Sequence, residues 1–491
     1  MRSAGVLLPV ASLPSNYGIG CFSKEAYKFI DQLKAAKQKY WQILPLGPTS
    51  FGDSPYQAFS TFAGNPYFID LETLIEEGLL NKEECEECDF GDDLRYIDYE
   101  KIYESRFGIL WQAFENFDKG NSDFIAYKEE NQEWLEDYAL FMAVKDSNEG
   151  LEWTKWEEDI SERNPEAIEK YKEELIDDVE FYKFIQYEFY IQWMKLKRYA
   201  NENGIQIIGD IPIYVAFDSA DCWASSELFQ FDSDNRPVAV AGCPPDAFAA
   251  TGQLWGNPLY NWEYHKSTGY AWWKKRVAYS FKLYDVVRID HFRGFDEYYS
   301  IPFGDKTAEN GHWEKGPGID LFHALTEEFG ELNIIAEDLG YLTDSVKQLV
   351  SDTGYPGMKI MQFAFDSREE SNYLPHTYEK NCVVYTGTHD NDNVQGWYDS
   401  ISKADRDYMK EYLHTSTKRA NIHFDLIRAC LASVADTAII PIQDYLGLGS
   451  EARINIPSTL GTNWRWRLFT GEIDDKLIQK MAKMAEVYER D

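Results

Sequence analysis

The sequence predicts an α/β protein built on a (β/α)8 barrel, and three observations carry that reading. Short β-branched runs recur along the 491 residues, as buried parallel strands do. Four of these runs lead into a carboxylate. Ile205-Gln206-Ile207-Ile208-Gly209 meets Asp210, Val286-Val287-Arg288-Ile289 meets Asp290, and Ile334-Ile335-Ala336 meets Glu337. Val383-Val384-Tyr385 continues through Thr386-Gly387-Thr388-His389 to Asp390. Amphipathic helical stretches separate most of the runs, which is the βα alternation of a parallel barrel. Acids at the carboxyl ends of strands are where such barrels keep their chemistry.

Eight strands can be placed in order, near 5–9, 40–44, 205–209, 286–289, 333–336, 358–363, 382–385 and 437–441. The first begins after Met1-Arg2 and faintly resembles a secretory leader. Pro9 and Pro14 break its apolar run, so it reads as a strand instead. The spacing between the second and third strands is far too long for one helix. Residues 71–180 read as a helical insertion, and 181–200 as the barrel helix leading into the third strand, on the periodicity of Phe181-Tyr182-Lys183-Phe184-Ile185-Gln186-Tyr187. A second insertion over 211–275 reads as loop-rich and carries a lid. With no internal repeat and no low-complexity linker, residues 1–491 read as one elaborated barrel.

Composition narrows the function classes. A formal net charge of -36 argues against nucleic-acid or anionic-membrane surfaces and leaves a neutral substrate such as sugar unpenalised. Aromatics make up 16% of residues, with 15 Trp. Most must serve the core, but some can form platforms for the C–H faces of sugar rings. Seven scattered Cys suit a reducing cytoplasm, and Cys85 and Cys88 lack the second ligand pair of a zinc site. No apolar run reaches the length of a membrane span.

A retaining glycosidase needs a carboxylate nucleophile and a carboxylic acid about 5–5.5 Å apart. Asp290 and Glu337, on neighbouring strands, can face each other at that range. Arg288 lies two residues before Asp290, hence on the same strand face, where it would hold that carboxylate ionised. Glu337 and Asp338 should point in opposite directions, and spacing does not tell which enters the barrel. The cluster Thr388-His389-Asp390-Asn391-Asp392 could hold a metal or bind sugar hydroxyls. With eight His in the chain, and no H-x-H after the first strand, hydroxyl binding is the better reading, and no metal is expected. His291 and His389, beside two of the acids, read as hydroxyl donors. The segment Pro245–Pro258 carries Gly252, Trp255 and Gly256 and reads as a lid that excludes water.

Several further blocks are specific when taken in order: Ser54-Pro55-Tyr56-Gln57, Phe62-Ala63-Gly64-Asn65-Pro66, Gly209-Asp210-Ile211-Pro212-Ile213-Tyr214-Val215, Arg288-Ile289-Asp290-His291-Phe292-Arg293-Gly294, Ala336-Glu337-Asp338-Leu339-Gly340 and Asn463-Trp464-Arg465-Trp466-Arg467. With them the chain resembles the 4-α-glucanotransferases (amylomaltases, or disproportionating enzymes) of glycoside hydrolase family 77, in the α-amylase clan, over nearly its whole length. The resemblance implies Asp290 as nucleophile, Glu337 as general acid/base and Asp390 as the third acid, binding donor-sugar hydroxyls. It implies Arg288 and His389 as their partners and Asp210 as a supporting acid. It also implies Tyr56 stacking on the donor sugar and Trp255 on the acceptor side. Ala249-Ala250 departs from the pattern, where Ser is expected in many relatives. The resemblance further implies no cofactor, a maltooligosaccharide or glucan donor, a glucose or maltodextrin acceptor, and a cytoplasmic enzyme of the short bacterial form. An α-glucan hydrolase of the same clan and a metal-dependent barrel hydrolase remain the alternatives.

Overall fold

The computed structural model describes residues 2–49, 52–245, 249–340 and 342–491. They form twelve strands: β1 (Ser3–Leu7), β2 (Tyr40–Gln42), β3 (Gln206–Pro212), β4 (Ala239–Cys243), β5 (Gln253–Pro258), β6 (Val286–Asp290), β7 (Glu297–Pro302), β8 (His312–Lys315), β9 (Ile334–Ala336), β10 (Gly357–Ile360), β11 (Cys382–Tyr385) and β12 (Thr437–Pro441). Eight of them close a parallel barrel in the order β1-β12-β11-β10-β9-β6-β3-β2. Each overlaps a strand expected from the sequence. β1 ends before Pro9, and β10 stops at Ile360 because Met361–Ala364 turns into a 3-10 helix.

Side-chain alternation explains what fills the barrel. Leu7, Ile208, Ile335, Met358, Val383 and Ile439, from six different strands, pack into one buried cluster. Two residues further along their strands, on the same face, come Asp210 after Ile208 and Glu337 after Ile335. The interior therefore changes from apolar to charged at the carboxyl end. Register sets the levels of these acids: Asp210 pairs with Arg288, and Ile289 with Ala336. The Glu337 N–H donates to the Ile289 carbonyl at 3.1 Å, which continues the ladder and sets Asp290 beside Glu337.

Between β2 and β3 the chain is helical, ending in a 27-residue helix, Ile176–Glu202. Its apolar face meets Trp111, Phe114 and Phe117 through Phe181 and Phe184. The same helix reaches the barrel mouth. The Gln186 side-chain amide accepts from Gly64 N at 2.7 Å and donates to Gly64 O at 2.8 Å, which pins the loop that carries Tyr56.

The segment expected to be loop-rich is more ordered than its composition suggests. β4 and β5 pair antiparallel, and β4 pairs in turn with β7, making a four-stranded sheet β5-β4-β7-β8. The partners are distant in sequence, Val240 against Ile301, so local patterning carries no trace of the pairing. β7 begins a few residues beyond Asp290, so this sheet grows directly from the exit of β6.

Gly209 faces outward from β3, where an added Cβ would meet the Tyr284 ring at 2.2 Å. Overpacking of this kind costs about 1–3 kcal/mol. Gly209→Ala should therefore lower the urea midpoint with an unchanged slope. An unshifted midpoint would contradict the close approach.

Candidate active site

The carboxyl end of the barrel gathers the predicted acids around one cation. Arg288 is buried, with its Nη1 donating to both oxygens of Asp210 at 2.8 and 2.7 Å. Its Nη2 donates to Asp290 Oδ1 at 2.9 Å, and its Nε faces the Met358 sulfur at 3.4 Å. Asp210 is fully enclosed, whereas the Asp290 side chain keeps 29% of its surface exposed. The buried acid therefore anchors the guanidinium, and the exposed one faces the cleft.

Alternation settles the Glu337–Asp338 ambiguity. Glu337 shares the face of Ile335 and enters the site. Asp338 turns the other way and accepts the Met358 N–H at 2.7 Å. Glu337 is held by two backbone donors, His291 N–H to Oε2 at 2.7 Å and Leu339 N–H to Oε1 at 2.9 Å. Burial, and then the nearby Asp290 charge, push its carboxyl up to about 7 despite those donors. Burial also raises Asp290, with Arg288 as the main opposing influence. Two facing carboxyls titrate as a pair. The ion pair to Arg288 favours the charge on Asp290 and leaves the proton on Glu337.

A second chain of contacts links the remaining residues. Tyr56 donates its hydroxyl to Asp210 Oδ2 at 2.8 Å, so it accepts from His389 Nε2 at 2.9 Å. The two rings stack, with centroids 5.2 Å apart and planes 20° from parallel. His389 Nε2 also lies 3.4 Å from Asp390 Oδ2. Burial alone would raise the Asp390 carboxyl, but the His389 charge reverses this and holds it well below the usual range. Burial likewise lowers His389, and Asp390 more than restores it, so the two form an ion pair.

His291 takes a left-handed backbone conformation, φ 51°, directly after β6. Burial, and then Arg293, lower its imidazole to about 3, so it stays neutral. Its ring meets Trp255 edge to face, with centroids 4.7 Å apart. Trp255 lies on β5, not on an open loop, and its indole N–H donates to Gln253 Oε1 at 3.0 Å. Residues 246–248 of the expected lid lie outside the described residues. All nine residues singled out in the sequence thus fall at this end of the barrel, in two connected groups.

Other contacts here left no mark in the sequence. Asn455 donates to Asp390 Oδ1 at 2.6 Å, and Arg453 donates to the Asp390 carbonyl at 2.6 Å. Buried Asp444 accepts from Thr386 Oγ1 at 2.5 Å and Val394 N at 2.7 Å, holding both ends of the loop that carries Asp390. All three lie beyond β12, Asp444 in the short helix Ile442–Leu446 and Arg453 and Asn455 in irregular chain, where such residues look like ordinary turn or cap residues. Cys85 is buried and Cys88 only partly so, and among the described residues no group of three or more His, Cys, Asp or Glu is arranged to hold a metal ion.

A barrel mouth with one carboxylate on a buried arginine, and a protonatable carboxyl on the neighbouring barrel strand, has the paired carboxyls of a glycoside-processing enzyme. Comparison with known proteins gives the particular family. The profile of the 4-alpha-glucanotransferases matches residues 8–471. The chain is 51% identical to the 4-alpha-glucanotransferase of Clostridium butyricum over 484 residues, 98% of this chain and 99% of that one. It is 45% identical to the Thermus thermophilus 4-alpha-glucanotransferase over 500 residues, covering 100% of this chain and 99% of the relative. Among solved structures, the amylomaltase from Streptococcus agalactiae in complex with acarbose superposes with a TM-score of 0.97 at 41% identity, with both chains fully covered. The chain belongs to the 4-alpha-glucanotransferase family.

Replacing Arg288 would strand two carboxylates around an empty centre. Breaking a buried pair from one side costs about 3–5 kcal/mol. Arg288→Met should lose stability in that range in chemical denaturation, and adding Asp210→Asn should recover part of it. A double variant no more stable than the single would mean that charge is not what Arg288 balances.

Proposed function

We propose that this protein moves α-1,4-glucan segments from a maltooligosaccharide or glucan donor to the 4-hydroxyl of a glucose or maltodextrin acceptor, by a double displacement. The pairing of Asp290 with Arg288 beside a buried, protonated Glu337 carries the reading. In the first half, Glu337 gives its proton to the glycosidic oxygen while Asp290 attacks the anomeric carbon, forming a glycosyl ester and releasing the leaving segment. In the second, an acceptor hydroxyl attacks that carbon, Glu337 takes its proton, and the Asp290 carboxylate is regenerated. The Arg288 guanidinium fits the first role, since it favours the ionised nucleophile. The N–H groups of His291 and Leu339 fit the second, since they stabilise Glu337 once it has lost its proton.

Asp390, charged and clamped by Asn455 and His389, is suited to hold sugar hydroxyls and to face the positive charge that develops on the ring. His389 holds Asp390 in place, and Tyr56 offers its ring to the donor while linking His389 to Asp210. Asp210 acts from beneath by fixing Arg288. Trp255, on its strand beside His291, covers the acceptor side. No cofactor enters this scheme. Water and a sugar hydroxyl attack the same ester, so the carboxylates do not decide between hydrolysis and transfer. The aromatic cover at Trp255 favours transfer by excluding water. Placement in the cytoplasm belongs to the same proposal and rests on the seven scattered cysteines.

Incubation with maltotriose tests the reaction. Transfer gives glucose together with maltodextrins longer than the donor, whereas glucose and maltose alone would mean hydrolysis. Asp290→Asn should abolish both outcomes while the melting temperature stays near that of the parent, because shape is kept and the nucleophile lost. Disproportionation by that variant at a normal rate would overturn the assignment.

Trp255→Ala should raise the hydrolysis-to-transfer ratio measured on the same maltotriose samples. Donor cleavage should fall less, since Asp290 and Glu337 are held by barrel strands and not by β5. An unchanged ratio with both rates reduced would reduce the ring to packing.

A further inference from the structure

A cavity of about 410 Å³ lies on the outer side of the barrel, between the inserted helix Gln132–Ser147 and the barrel helix Ala271–Leu283. None of the nine residues of the carboxyl site lines it. One wall is aromatic. Phe62, Trp134 and Tyr279 are each half-buried, with ring centroids 6.2 Å apart for Phe62 and Trp134, 5.6 Å for Phe62 and Tyr279, and 5.7 Å for Trp134 and Tyr279. Phe62 opens one of the sequence blocks singled out above, and the proposed reaction makes no use of it. The charges around the cavity are mostly engaged. Lys275 pairs with Glu133 at 2.8 Å from one helix to the other, and Asp137 pairs with Arg163 at 2.6 Å. Lys282 is turned onto the Tyr190 ring, 5.2 Å from its centroid. Asp221 accepts from the Thr61 N–H at 2.9 Å and from its hydroxyl at 2.6 Å. Two neutral donors that line the cavity, the Tyr279 hydroxyl and the Trp272 indole N–H, make no hydrogen bond within the described residues, and Glu130 stands exposed without an ion pair.

We propose that this cavity is a separate, non-catalytic binding site for α-glucan, seated on Phe62, Trp134 and Tyr279. The lining selects the ligand. The paired charges leave no cluster of one sign to hold an ion. Three rings offer apolar faces, and the free hydroxyl, indole N–H and carboxylate offer hydrogen bonds beside them. A glucose ring divides in the same way, into C–H faces and hydroxyl edges. The volume falls within the span of small-molecule sites, about 300–1,000 Å³. From the proposed function the inference takes one thing, that this chain meets α-glucans. A polymer held at such a point keeps its free ends at a raised local concentration around the barrel mouth, whereas a short sugar occupies one site or the other and gains nothing. The loop after Tyr56 places the two sites side by side. Ser60 and Phe62 line the cavity and also a small hollow bordered by Tyr56 and Asp210. The site therefore favours long chains over short ones without touching the reacting groups.

Calorimetric titration of Asp290→Asn with maltotriose reads binding without turnover. Adding Trp134→Ala should remove one binding site per protein molecule. Adding Tyr279→Phe, which keeps the ring and deletes only the hydroxyl, should weaken the same site. In the otherwise unaltered enzyme, Trp134→Ala should raise KM for amylose about threefold or more, the scale of one aromatic contact, and leave kcat and the kinetics on maltotriose as they were. Tyr279→Phe should move the amylose KM in the same direction, and it keeps the packing should Trp134→Ala lower the melting temperature. Binding stoichiometry and affinities unchanged by both substitutions would overturn the site. So would a Tyr279→Phe enzyme that loses as much on maltotriose as on amylose. Tetramethylammonium chloride probes the other occupant that rings can hold, a cation. Heat from that salt that disappears in Trp134→Ala, with no sugar site lost, would overturn the glucan assignment. Product formation by Asp290→Asn would count against the nucleophile, and the number of sugar sites against the cavity, so the two readings fail separately.

Discussion

One buried guanidinium organises this molecule's chemistry. Arg288 is held between an enclosed carboxylate, Asp210, and a cleft-facing one, Asp290. A lone charge in that position would be expensive, and so would either acid without it. The three must come together, and parallel register brings them together by pairing Asp210 with Arg288 across β3 and β6. The result is a carboxylate that is paired with a cation and aimed at the cleft. Glu337 differs because its partners are dipoles and not a cation. Burial and the Asp290 charge therefore prevail, and its carboxyl stays near neutrality. Two acids on adjacent strands obtain opposite roles from this difference in partners, much as a single fold can run acid and base chemistry side by side.

The network extends outward through neutral groups. Tyr56 carries the hydrogen-bond chain from Asp210 to His389, and His389 holds Asp390 charged. Tyr56, His389 and Asp390 are thus connected to the same arginine as Asp290. The helical segment earns its place in this geometry through Gln186, which fixes the Tyr56 loop at Gly64. The four-stranded sheet does the corresponding work on the other side, carrying Trp255 to His291.

What could be read from the chain follows from how local each signal is. The barrel strands were legible because β-branched runs ending in Asp or Glu are a feature of four or five residues. Arg288 and Asp290 were legible as a pair because period two needs no knowledge of neighbours. The choice between Glu337 and Asp338 was not, since it depends on which face of β9 meets Ile208 and Met358 across the barrel. The β4–β7 pairing was hidden for a similar reason, as it joins residues some sixty positions apart in strands interrupted by glycine. Asn455 and Asp444 were hidden because their effect is exerted on the loop of Asp390 from beyond β12, one from irregular chain and the other from a short helix. The resemblance to a known family supplied roles for Tyr56 and Trp255 that residue patterning alone did not.

The division of labour between barrel and sheet bears on the choice between water and sugar. In the proposed double displacement, Asp290 and Glu337 on the barrel strands serve either attacking group equally well. Selectivity has to come from outside the two carboxyls. β5 sits at the edge of its sheet, preceded by Gly252 and interrupted by Gly256, both with positive φ. Trp255 lies on that edge, and its ring meets the imidazole of His291 at the barrel rim. The sheet joins β4 and β5, which precede β6, to β7, which begins a few residues after Asp290, so Trp255 and Asp290 are tied to one another through the exit of β6.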